Sequence, residues 1–342
     1  MQAARLHAYG KPLVLEDVPR PVPGPGQVVL KVEGAGFCHS DLHLIDGEIQ
    51  ILPRLPVTLG HENAGIVSDV GTGVEDFREG DPVAVFGGWG CGRCDYCVGG
   101  VEQLCAKPEW VGLSQNDGGY AEFLLVKHER HLVKLDRLPP REAAALTDAA
   151  LTPYRAIKKS APFLEPDQLV LVIGLGGLGQ YGVKLLRVLS GCRIIAVDLD
   201  ESKRKLGLEY GATHALDGAD PELRLKILEL TGGHGVTAAF DFVGSDSTLA
   251  VAISTTKTLG KVTQVGLAGG TAKLRALDNA RFEVSFETTF WGSIRELREV
   301  IALAESGRLS PIKTEFRALG EIQTVTDRLK HGQIQGRAVI TP

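Results

Sequence analysis

Five consecutive apolar residues, Leu169–Ile173, run straight into Gly174-Leu175-Gly176-Gly177-Leu178-Gly179, and a helix-forming stretch, residues 178–189, follows. No other feature of the 342 residues constrains the fold as much. A buried strand, a glycine turn and a helix opening at that turn are the parts of a βαβ unit whose helix amino terminus faces an anion. Gly174 permits the tight turn, Gly176 lets a pyrophosphate approach the backbone, Gly179 lets helix and strand pack closely, and Gly177 completes the glycine set. The run therefore reads as a dinucleotide fingerprint. Further strands are expected at residues 193–197, 236–240 and 261–265. They alternate with helices at 202–210 and 221–230, the second with Asp220 as N-cap. Repeated βα units predict a doubly wound parallel sheet covered on both faces, and residues 283–286 extend it.

The second strand would end at Asp198, 24 residues after Gly174. A carboxylate there accepts hydrogen bonds from the adenosine ribose hydroxyls and repels a 2′-phosphate, which favours NAD over NADP. Asp200 adds to that repulsion, no Arg immediately follows, and Lys203 offers a further ribose contact.

The first 150 residues have a different texture. Short apolar or alternating runs at 28–32, 65–70, 82–86 and 121–126 are punctuated by Gly and Pro, which reads as β-rich structure. The chain carries 42 glycines, about 12% against a usual ~7%, so tight turns are many. Late in the chain, residues 296–305 read as a helix and 336–340 as a returning strand.

Cys91, Cys94, Cys97 and Cys105 give the spacing C-x2-C-x2-C-x7-C within 15 residues. Four thiolates match a closed tetrahedral zinc site with no position left for water, so this zinc would be structural. An iron–sulfur cluster has different spacing. Cys38 and Cys192 stand apart, and Cys192 is expected to be buried and inert. Lys plus Arg number 37 against 42 Asp plus Glu, a formal charge of -5, which gives no footprint for nucleic acid. No run of ~18 apolar residues and no secretory pattern at the amino terminus occur, so no membrane association is expected and the cytoplasm is the expected location.

Phe37-Cys38-His39-Ser40-Asp41-Leu42-His43 and Gly60-His61-Glu62 place a thiolate, imidazoles and carboxylates in the β-rich half. Written out as Gly60-His61-Glu62, Gly65, Gly71 and Val74, the second segment resembles the zinc signature of medium-chain alcohol dehydrogenases. The signature, the four-cysteine lobe, the fingerprint and the Gly336-Arg337 tail follow in that family's order over essentially the whole chain. The resemblance implies an α/β protein. Its GroES-like β-rich catalytic domain would span residues 1–151 and 289–342, with the structural zinc lobe near 88–108, and a Rossmann domain would span 152–288, with the active site in the cleft between them.

It further implies that Cys38 and His61 bind a catalytic zinc, with Glu62 a nearby carboxylate able to join. Where many members carry a second cysteine, this chain has Asp148. A carboxylate is an accepted zinc ligand and keeps the net charge, so Cys38, His61 and Asp148 with one open position are expected. If Asp148 only caps a helix, Glu62 completes the set. Asp41 would orient His61, and His39 would face the pyrophosphate. Ser40 and His43 match the family's proton relay, running from substrate hydroxyl through Ser40, a ribose hydroxyl and His43 to solvent. Thr152, Val265 and Gly266 would lie along the nicotinamide, and Arg337 would reach the pyrophosphate. The implied activity is reversible, zinc-dependent hydride transfer between NAD and small alcohols and their ketones or aldehydes, by a homo-oligomer, tetramer before dimer. Asp148 together with Trp89-Gly90-Cys91 resembles a bacterial branch that handles secondary alcohols. A polyol or threonine dehydrogenase is the alternative, although Leu42, Leu44 and Ile45 offer few polar pocket groups. A non-enzymatic NAD sensor is more remote, since it needs no Ser40 and His43.

Overall fold

Leu169–Ile173 is buried along its whole length and sits at the centre of a six-stranded sheet. The computed structural model describes residues 1–275 and 279–342. They form two units, residues 1–151 with 291–342, and residues 152–290.

In the second unit the strands are Leu169–Ile173, Arg193–Asp198, His214–Asp217, Val236–Asp241, Thr256–Gln264 and Ser285–Thr288. Numbered in chain order they lie 3-2-1-4-5-6, and every pairing is parallel. That is the Rossmann order, with its switch point between the first and fourth strands. Leu171, Ile173, Ile195, Val197, Ala239 and Val262 pack with Leu223, Ile227, Ala252 and Ile253 of two covering helices. One helix starts later than its sequence suggests. Asp220 accepts a hydrogen bond from the Glu222 amide at 2.8 Å and pairs with Lys226, so Asp220-Pro221 form a turn and the helix is Leu223–Leu230. The strand expected at 261–265 begins earlier, at Thr256, with a register shift opposite Val236 and Ala238.

The first unit is built on two sheets. Its longest strand, Val28–Phe37, pairs with Glu62–Val70, Phe123–Val126 and Arg337–Thr341, which carries it well past the expected end at residue 32. The register sets Gly36 opposite Glu62 and Phe37 opposite Ala338. Cys38, His61, Glu62 and Arg337 are thereby gathered at one end of three neighbouring strands. A small sheet formed by Gln2–Leu6, Val14–Asp17 and Val57–Thr58 completes the unit. Among the described residues no helix is long and apolar enough to cross a membrane.

Candidate active site and metal centres

Cys38 ends the long strand and caps the helix His39–Ile45. Asp148 arrives separately, at the end of the short helical turn Ala144–Thr147. Cys38, His61, Glu62 and Asp148 are all buried, and their donor atoms lie within 4.8 Å of one another. Cys38 Sγ is 3.8 Å from Asp148 Oδ2, and His61 Nε2 is 3.5 Å from the same oxygen. Tetrahedral zinc with bonds of ~2.0–2.3 Å sets its donors about 3.3–3.8 Å apart. The spacing fits the ion.

Electrostatics point the same way. Three groups that ionise to anions share this buried space with one guanidinium, Arg337. Burial alone would lower the His61 pKa, but Asp41 and Asp148 hold it well above the usual imidazole value. Burial pushes Glu62 up to about 7 against the pull of Arg337. Such an electron-rich, dry donor set suits a divalent cation, which would offset its excess of groups that ionise to anions.

Surrounding groups fix the donors. Asp41 Oδ2 accepts from the Cys38 amide at 2.9 Å and from the Tyr120 hydroxyl at 2.8 Å, while Asp41 Oδ1 faces His61 Nδ1 at 3.4 Å. Asp41 thus faces the ring nitrogen turned away from the donor cluster, the usual arrangement behind a metal-binding histidine. Tyr120 stacks on Phe37, with ring centroids 5.2 Å apart, and Trp291 sets its ring edge-on to His61 at 5.7 Å while donating to the Thr147 carbonyl at 2.9 Å. Tyr120 has no spacing signal linking it to Cys38 or His61, so sequence reasoning missed its role. Ser40 Oγ lies 3.7 Å from Cys38 Sγ. His43, a turn further along the helix, pairs through Nδ1 with Glu48. His39, at the start of the helix, is exposed.

The guanidinium of Arg337, the residue expected to reach the pyrophosphate, is buried and bound through two nitrogens to Glu62, with Nε 2.9 Å from Oε2. The Gly36–Glu62 and Phe37–Ala338 registers bring the two side chains together, and a buried carboxylate holds a buried guanidinium strongly. Of the tryptophans near the lobe, Trp89 is core: it is buried, donates to the Phe86 carbonyl at 2.6 Å and stacks on His131.

In the lobe, Cys94 Sγ is 3.5 Å from Cys97 Sγ and 3.7 Å from Cys105 Sγ, near the ~3.8 Å edge of a tetrahedral zinc–thiolate site. Cys91 joins them within 4.8 Å. Backbone amides lower the Cys94 thiol to about 6, whereas burial pushes Cys97 up to about 12. A shared cation favours all four thiolates at once. Cys192 is buried and donates to the Glu165 carbonyl at 3.1 Å.

In the second unit Gly174 takes φ +85°, and Gly176 caps the helix Gly177–Leu189. Asp198 accepts from the Leu175 amide at 2.6 Å and from the Asp200 amide at 2.9 Å, so it also braces the fingerprint turn. Asp200 caps the helix Glu201–Glu209, which carries Lys203 in its first turn. Arg204 lies in the same helix, where its Nη1 donates to the Asp198 and Leu199 carbonyls at 2.9 and 2.8 Å and its Nη2 lies 3.4 Å from Asp217. The Val265 and Gly266 amides both donate to the Asp241 carbonyl, at 2.8 and 3.0 Å, beside the switch point. Thr152 is buried in the first turn of Leu151–Lys159.

A GroES-like unit with a buried four-donor cluster and a cysteine lobe, joined to a Rossmann unit, defines a zinc-binding dehydrogenase. Residues 24–137 match the alcohol dehydrogenase GroES-like domain and residues 177–306 the zinc-binding dehydrogenase domain. The chain belongs to the zinc-dependent medium-chain alcohol dehydrogenase family. It is 38% identical to an NAD-dependent alcohol dehydrogenase of Sulfurisphaera tokodaii, each chain covered in full. It is 35% identical to a D-arabinose 1-dehydrogenase (NADP(+)) of Saccharolobus solfataricus, covering 100% of this chain and 97% of that one. The alcohol dehydrogenase structure from Aeropyrum pernix superposes with a TM-score of 0.91 at 39% identity, over all of both chains.

Proposed function

We propose that this chain is an NAD-dependent alcohol dehydrogenase that interconverts small secondary alcohols and ketones. The observation that carries the reading is the Cys38–His61–Asp148 donor set at zinc-like spacing. Zinc bound there acts as a Lewis acid that favours the ionised form of an alcohol, and NAD supplies the hydride acceptor. Asp148 serves as the third ligand because Glu62 is already committed to Arg337. Cys91, Cys94, Cys97 and Cys105 hold a second, structural zinc.

The remaining work falls to side chains. Asp41 holds His61 in place, and Tyr120 holds Asp41. Ser40 accepts the proton lost by the substrate hydroxyl as it gives up its own. That proton passes on to His43, three residues further and therefore on the same helix face, which releases it to water. Asp198 and Lys203 hold the adenosine ribose, Gly174, Gly176, Gly177 and Gly179 the pyrophosphate together with His39, and Thr152, Val265 and Gly266 the nicotinamide. NAD is preferred because Asp198 repels a 2′-phosphate and Arg204 is turned to carbonyls and Asp217. The same reading makes the protein a cytoplasmic homo-oligomer, a tetramer before a dimer. The edge strand Ser285–Thr288, paired on one side only among the described residues, offers an edge for association.

Initial rates of NAD reduction by zinc-loaded protein with 2-butanol, 1-butanol and D-arabinose, at matched concentrations, test the substrate class. The highest rate is expected with 2-butanol. A higher rate with 1-butanol would move the activity to primary alcohols, and a higher rate with the pentose would favour the sugar reading suggested by the D-arabinose dehydrogenase relative.

A further inference from the structure

The helix His39–Ile45 ends at Asp46, and Gly47, at φ +77°, turns the chain back on itself. The Gly47 amide donates to the Leu44 carbonyl at 3.1 Å, and the Ile49 amide donates to the His43 carbonyl at 3.1 Å. This reversal returns Glu48 to the last turn of the helix, where its Oε2 lies 2.5 Å from His43 Nδ1. Asp46 and Lys330 are the other charged groups at this helix end. Lys330, which closes the packed helix Ile322–Lys330, binds both Asp46 oxygens at 2.8 Å and also feels the Glu48 charge. Glu48 therefore faces the imidazole of His43, with the Lys330 ammonium near enough to interact with its charge.

A carboxylate can only accept hydrogen bonds, so the nitrogen that faces it must carry the hydrogen. In a neutral His43 that leaves Nε2 with the free lone pair, because the partner of one ring nitrogen decides the state of the other. We propose that Glu48 is a positioning residue that holds His43 in the Nδ1-protonated tautomer and so makes Nε2 the atom that collects the proton released in alcohol oxidation. Nε2 forms the new N–H bond, the resulting imidazolium is held by the Glu48 carboxylate, and loss of the same proton to water restores the starting tautomer. No electrons are exchanged at His43. The inference rests on the reading of Ser40 and His43 as the proton path, and it adds a residue that neither the fingerprint nor the zinc signature contains.

The test uses full-length, zinc-loaded protein labelled with 15N in its histidines. Ring nitrogens are correlated with ring protons by NMR at a pH well above the usual imidazole value of ~6.5. The His43 signals are identified by their loss in His43→Gln. The wild-type ring is expected to show a protonated Nδ1 and a bare Nε2, and Glu48→Gln, whose amide can donate as well as accept, to shift the proton largely to Nε2. Glu48→Gln should also lower kcat for alcohol oxidation about twofold to fivefold, the range of an exposed ion pair, and should change nothing further in a His43→Gln background. A bare Nδ1 in the wild type, or a tautomer unmoved by Glu48→Gln, overturns the role of Glu48 and leaves the relay standing. His43→Gln itself should steepen the pH dependence of alcohol oxidation. An unchanged profile overturns the relay and the positioning role with it.

Discussion

Asp148→Ala is expected to remove the catalytic zinc, cutting the zinc content from two ions per chain to one and kcat by at least about a thousandfold. The Lewis-acid contribution of a bound metal is several kcal/mol, and ~4 kcal/mol corresponds to that factor. With Asp148 gone, Cys38 and His61 keep only Glu62 as a third donor, and Glu62 is bound through two of its neighbour's nitrogens to Arg337. Recruiting it would leave a buried guanidinium without its partner, at a cost of about 3–5 kcal/mol. Asp148→Cys restores both the charge and the donor, so it should retain two zinc ions and stay within about tenfold of wild-type kcat. Elemental analysis of the three proteins beside their rates decides the matter. An Asp148→Ala protein that keeps two zinc ions would show that Asp148 only ends its helical turn and that Glu62 completes the site.

The second large effect separates fold from cofactor within one glycine run. A Cβ on Gly179 would stand 1.7 Å from the Gly174 carbonyl oxygen, which the helix can escape only by moving off the strand. Gly179→Ala should therefore cost about 1–3 kcal/mol of stability, as overpacking does, and weaken NAD binding at least about a hundredfold by displacing the helix amino terminus. A Cβ on Gly176 meets no protein atom within 4 Å. If that space admits the pyrophosphate, Gly176→Ala should unfold at the wild-type temperature yet bind NAD at least about tenfold more weakly, ~1.4 kcal/mol. Thermal unfolding and NAD titration of both variants provide the check. Undiminished NAD binding by Gly176→Ala would mean that the cofactor does not approach this turn.

The difference between those two glycines shows which features were legible in the sequence. Most of the parallel sheet was legible because its central strand is a continuous apolar run followed by a glycine turn that a window of a few residues contains, whereas the strand His214–Asp217, half-buried along its length and short of apolar residues, gave no such signal. The lobe was equally plain, since its four donors are neighbours in the chain. The helix ends were less so: Asp220 is a good N-cap by type, but its pairing with Lys226 makes it a turn residue, and only the three-dimensional contact reveals this. The strand Val28–Phe37 extends past its apolar core because Arg337–Thr341, some 300 residues away, pairs with its end.

The same long-range registers determine the site. Cys38, His61 and Asp148 could be proposed from the sequence, yet the partner of Arg337 could not. A motif position shows where a residue lies in the chain, whereas the Gly36–Glu62 and Phe37–Ala338 pairings decide that its guanidinium ends in a buried carboxylate. Tyr120 was silent for a related reason. It acts on the site through a hydrogen bond to Asp41, and aromatic residues occur at ordinary core positions throughout such a chain.

In the function proposed above, a metal held by Cys38, His61 and Asp148 drives NAD-linked alcohol oxidation. The most direct measurement is the rate of NADH formation from 2-butanol before chelation, after exhaustive removal of metal, and after zinc is returned, with folding followed in parallel by circular dichroism. The rate is expected to be lost with the chelated metal and to recover with zinc, in a chain whose secondary structure is unchanged throughout. An undiminished rate in folded, metal-free protein would contradict that role of the metal.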